Sequence, residues 1–156
     1  MQEHSFETMR YCAYAYLRHI RAAIGEIDDI ECQMAKQQAS LALMGVSYDV
    51  GGGCASVDRM PDGLAKAFEL REKWSEAYAR LAGDIEQARM LCSSEFPSRR
   101  MLWLHLVEGK TWQQVSGMMG YSVRHVIRMA DNGTVGLYYA MPEEWRRDPV
   151  PNAAPQ

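Results

Sequence analysis

"TWQQVSGMMGYSVRHVIRM", residues 111–129, decides how the rest of the chain is read. Thr111 followed three residues later by Gln114 is a capping-box pattern, in which each side chain satisfies the other residue's backbone N–H at a helix start. Gly120 ends that helix and Ser122 can cap the next, so two helices meet across a Gly-Tyr-Ser turn. Trp112, Val115, Met119, Tyr121, Val126 and Met129 are expected to face a small core. Ser122, Arg124, His125 and Arg128 are left outside. The four-residue spacing sets Arg124 and Arg128 on one face with His125 beside them. Such a helix can enter a major groove while the helix before it braces on the backbone. Arg124, His125, Arg128 and Ser122 are therefore the expected groove contacts. Thr111, Gln113 and Gln114, at a helix start with exposed amides, are the expected phosphate contacts.

Upstream, Ser98 is expected to cap a helix running through Val107 and ended by Gly109, which makes three short helices in all. Lys110, Arg99 and Arg100 extend their basic surface. Between Ser98 and Ala130 five basic residues stand against one acid, Glu108, for a net +4, so a chain of net charge −3 carries −7 elsewhere. A basic module on an acidic body is the asymmetry expected where only one part meets a polyanion. Downstream, the third helix runs toward Met141, with a weak point expected at Asn132 and Gly133, and Pro142 stops it. The closing "EEWRRDPVPNAAPQ" reads as extended or disordered, with Trp145 docking back.

The first half has a longer period. Phe6, Ala13, Ile20, Ile27, Met34 and Leu41 recur every seventh residue. Leu17 and Ile24 fill the alternate seam, which turns polar at Glu31 and Gln38. This predicts one helix of about 35 to 40 residues, roughly 55 Å at ~1.5 Å per residue, closed by Gly45. A glycine-rich linker over 45–63 follows. It lacks the Gly-Lys-Ser/Thr and the preceding strand of a phosphate-binding loop. A second long pattern runs through Leu64, Ala67, Trp74, Tyr78, Leu81, Ile85, Ala88 and Cys92. Two such helices fold back as an antiparallel hairpin, each burying its stripe on the other. Tyr11, Tyr14, Tyr16 and Met44 fall outside the seam, which predicts that a second copy covers them in a homo-oligomer.

Composition bounds the alternatives. With 47% hydrophobic and 24% charged residues the chain reads as an ordinary soluble protein, not a disordered one. No run approaches a membrane span, and Glu3, His4 and Glu7 are unlike a signal peptide, so a cytoplasmic location is expected. Cys12, Cys32, Cys54 and Cys92 lie far apart and read as reduced thiols. His4, Cys12, His19 and Cys32 are spaced by 8, 7 and 13 residues, which is not metal-ligand spacing. Without a CxxC, HExxH or carboxylate site the chain reads as a non-enzyme needing no cofactor; Glu26, Asp28, Asp29 and Glu31 read as a solvated helix face.

Three stretches carry a resemblance to a known family: "GVSYD" (45–49) with the later "MP" (60–61), "RRMLWLHLVEGKTWQQVSGMMGYSVRHVIRM" (99–129) and "LYYAMP" (137–142). In these the chain resembles small phage and prophage regulators of the ArpU and RinA type, whose C-terminal segment looks like region 4 of bacterial sigma factors. The triple glycine at 51–53 and the Asn132-Gly133 pair depart from that pattern. The resemblance implies a phage-encoded DNA-binding regulator of transcription in the bacterial host, acting on late or packaging genes. The combined expectation is an all-α chain. Residues 1–95 form a coiled-coil hairpin for oligomerisation, residues 96–142 a sigma region 4-like helix-turn-helix that binds double-stranded DNA, and residues 143–156 a flexible tail. Paired readers would contact half-sites about one helical turn, ~34 Å, apart or a multiple of it. Two alternatives fit the same residues: a small terminase subunit recognising DNA for packaging, and an interaction module binding RNA polymerase without reading DNA.

Overall fold

A computed structural model describes residues 5–43 and 62–146. Those residues are all helical, with no strand among them: α1 Phe6–Leu43, α2 Asp62–Leu91, α3 Pro97–Leu106, α4 Trp112–Met119 and α5 Val123–Ala140, followed by a 3-10 turn at Glu143–Trp145. No helix among them is long and apolar enough to cross a membrane. The readings of Gly45, the triple glycine, Cys54, Met44, the "GVSYD" and "MP" motifs and residues 147–156 of the tail lie outside the described residues.

The chain divides into two compact units that cut across both long helices. One holds residues 5–22 and 84–146, the other 23–43 and 62–83. In the second unit, side chains of α1 and α2 meet in opposite chain order. Glu26 pairs with Arg80, Glu31 Oε1 accepts from Trp74 Nε1 at 3.0 Å, and Gln37 Nε2 donates to the Gly63 carbonyl at 2.9 Å. The buried seam of α2 runs Leu70, Ala77, Leu81, Ile85 and Ala88, with Cys92 buried just past its end. Tyr78, expected on that seam, is half exposed and stacks on Trp74 at 5.0 Å between ring centres. On α1, Ala13, Ile20 and Leu41 are buried as the heptad requires, Ile27 and Met34 are half-buried, and Phe6 in the first turn is exposed.

The first unit contains the sealed core. Tyr16, Leu17 and Ile20 of α1 are fully buried, as are Cys92, Met101, Leu102, Leu104, Val115, Val126, Leu137 and Met141. Tyr16 was expected to need a second copy; instead its own chain covers it, with the Trp145 ring 5.7 Å away. Trp145 also lies 4.9 Å from His19, so the end of the described chain docks on α1. Tyr138 Oη donates to the Arg146 carbonyl at 3.1 Å and Arg146 Nε donates to the Met141 carbonyl at 2.9 Å, which pins the turn that carries Trp145. Burial pushes the Tyr16 hydroxyl and the Cys92 thiol each up to about 12. Cys32 and Cys92 are thiols outside any disulfide.

α5 packs chiefly on α3 and less on α4. Gly133 makes that packing possible. A Cβ at this position would lie 2.5 Å from the Ser98 carbonyl oxygen, so only hydrogen fits where α5 crosses the start of α3. The weak point expected at Asn132-Gly133 is therefore not a break: α5 is continuous, and its glycine is a close-approach position. Ser98 also differs from expectation. Helix α3 begins at Pro97, whose fixed φ and missing N–H suit the first helical position, with Phe96 preceding it and no side-chain cap.

Candidate nucleic-acid interface

Local signals place the faces of α4 and α5. Thr111 Oγ1 accepts from the Gln114 N–H at 3.2 Å while Gln114 Oε1 accepts from the Thr111 N–H at 2.9 Å, completing the capping box. Gly120 takes the left-handed φ of 74° that closes α4. Ser122 Oγ accepts from the His125 N–H at 3.3 Å and starts α5. Across the turn, Ser116 Oγ donates to the Tyr121 carbonyl. Each bond satisfies a helix-end group that would otherwise need water, so the α4–α5 corner is fixed by local chemistry.

The corner in front of α4 is fixed similarly. Gly109 is left-handed at φ 71°, and the His105 ring stacks on Trp112 with centroids 3.8 Å apart. His105 Nδ1 donates to the Lys110 carbonyl at 2.7 Å.

This frame leaves Ser122, Arg124 and Arg128 exposed at the start of α5, and Thr111, Gln113 and Gln114 exposed at the start of α4. His125 is half-buried. Its Nδ1 lies 3.1 Å from Arg128 Nη2, and its ring lies 5.0 Å from that of Tyr121. His125 thus steadies the Arg128 guanidinium. Lys110 is half-buried beside the exposed start of α4.

Arg99 and Arg100 are arranged differently. The Arg99 guanidinium lies 4.4 Å over the Phe96 ring and donates to the Leu91 carbonyl at 3.4 Å, and Gly136 leaves room for it against α5. Arg100 pairs with Glu108 at 3.5 Å, the same carboxylate that accepts from Trp103 Nε1 at 3.0 Å. Both arginines are half-buried, and both have internal partners.

Two features of this surface were not anticipated. Arg21, on α1, comes close to the Gly109 backbone: a Cβ there would meet its guanidinium at 3.5 Å. This brings a cation from the far end of the sequence next to Lys110, and no local pattern could have announced it. Tyr121, expected in the core, is 46% exposed. Val115 and Val126 are fully buried as expected, and Trp112, Met119 and Met129 are half-buried. Among the described residues no group of three or more His, Cys, Asp or Glu side chains could hold a metal ion.

No family model, curated protein or solved structure matches the chain.

Proposed function

We propose that the protein reads double-stranded DNA with α3–α5 as a helix-turn-helix, α5 entering the major groove, and that it regulates transcription in a phage or prophage setting. The observation that carries this reading is the exposure of Arg124 and Arg128 on one face of a capped helix start, next to the open polar start of α4. Guanidinium groups so placed can reach guanine O6 and N7 or phosphate oxygens, and exposed N–H groups, hydroxyls and amides at a neighbouring helix start suit phosphate. With Arg99 and Arg100 internally engaged, they act as positioning residues that hold α3 under the reader. The long helices α1 and α2 form the coiled-coil hairpin that pairs copies, supported by the opposite order of their side-chain contacts and by the exposure of Tyr11. The resemblance to the ArpU and RinA type supports the regulatory role and RNA polymerase as a further partner.

Binding of the full chain to a mixed-sequence duplex, followed by fluorescence anisotropy across a salt series, tests the reading. Arg124→Ala or Arg128→Ala should each cost about 1 to 3 kcal/mol, and any loss of a phosphate contact should flatten the log–log salt slope by roughly 0.9. Arg100→Ala should leave that slope unchanged. Unaltered affinity and slope in both α5 variants would remove the assignment. Mass photometry separates the packaging alternative, since a closed ring of many subunits belongs to a terminase and a dimer or tetramer to a regulator.

A further inference from the structure

The open start of α5 is not uniformly basic. Val123 and Ile127, four residues apart, form one rank along the helix, and Arg124 and Arg128 form the adjacent rank. Val123 is 37% and Ile127 39% exposed, although α5 has an inward face that buries Val126 and Ala130 in the same two turns. Tyr121 and Met118, in the corner before α5, are exposed as well, at 46% and 58%. A cationic rank beside an aliphatic one fits a surface whose acceptors and methyl groups alternate at similar spacing. The major groove offers that surface: guanine presents O6 and N7 to a guanidinium, and thymine presents its C5 methyl to an aliphatic side chain. Phosphates alone would match the arginines and leave Val123 and Ile127 in water.

We infer that Val123 and Ile127 read thymine methyl groups, so that the selected duplex carries thymines beside the groups contacted by Arg124 and Arg128. The inference rests on the proposal that α5 reads duplex DNA, and it adds the base that the uncharged rank distinguishes. Four residues of helix rise about 6 Å, against about 3.4 Å per nucleotide along a strand. The two thymines therefore stand about two base steps apart when the helix lies along the groove.

The full chain is used to select duplexes from a randomised library at physiological salt, and each thymine of the best-bound duplex is then replaced by deoxyuridine, which removes only the methyl. The expected loss is about fourfold at each of two positions, the worth of one buried methylene, about 0.8 kcal/mol, converted at 1.4 kcal/mol per tenfold. Val123→Ala should abolish the sensitivity at one position and Ile127→Ala at the other. Neither removes a charge, so the salt slope should stay at the wild-type value. If deoxyuridine matches thymine at every position, or both variants keep the wild-type sensitivity, the inference is overturned while DNA binding stands. A library from which no duplex is retained overturns both.

Discussion

Gly133 and Gly83, one in each compact unit, have opposite surroundings. A side-chain carbon on Gly133 would meet the Ser98 backbone, whereas one on Gly83, in the unit of residues 23–43 and 62–83, would meet nothing within 4 Å. The cores differ in the same sense. Among the described residues, the fully buried large side chains all belong to residues 5–22 and 84–146, while the best-buried residues of the other unit, Ala23, Leu41 and Ala77, remain slightly open. Exposed polar contacts, Glu26 with Arg80 and Glu31 with Trp74, also join α1 to α2 there. One unit is closed around its own interior, and the other has an apolar stripe too narrow to cover both helices.

Core truncation should show the contrast at its largest. Leu102→Ala, at a fully buried position, should cost about 3 to 5 kcal/mol in urea denaturation, while Leu70→Ala should stay near 2 kcal/mol, the low end for such changes. Equal costs would erase the distinction between the two cores. The glycines sharpen it further because the sign changes: Gly133→Ala should destabilise by about 1 to 3 kcal/mol through overpacking, and Gly83→Ala should stabilise by about 0.5 to 1 kcal/mol, the helix-interior difference between the two residues. The smallest effect belongs to Arg80→Ala. Its ion pair with Glu26 is largely solvent-exposed, so its removal should cost under about 1 kcal/mol and less still as salt is raised.

What could be read from the sequence follows the range of the forces involved. The Thr111–Gln114 box, the left-handed Gly120 and the Ser122 cap are bonds between near neighbours, and the residue types alone announce them. Arg124 and Arg128 are legible for the same reason, since helical spacing fixes their shared face. Misreadings arise where a distant partner decides. Gly133 reads as a helix weakness unless one knows that α3 crosses there, and Arg99 and Arg100 read as free cations unless the Leu91 carbonyl and Glu108 are already in place. On α2, the true seam passes through Leu70 and Ala77 with the 3.6-residue drift of a helix, which reading Trp74 and Tyr78 as successive seam positions missed. Ser98 lost its capping role to a local competitor, because proline at 97 already sets the start of α3.

The meeting of Tyr16 and His19 with Trp145 has a consequence for how the chain comes to be folded on the ribosome. The first helical turns emerge early, but the aromatic ring that seals them lies more than a hundred residues downstream. At translation rates of about 5 to 20 residues per second, that leaves an interval of roughly 6 to 25 seconds in which Tyr16 has not yet met its final neighbour. During that time the nascent segment presents a greasy, helix-prone surface, and a chaperone or a sister chain on the same messenger could meet it first.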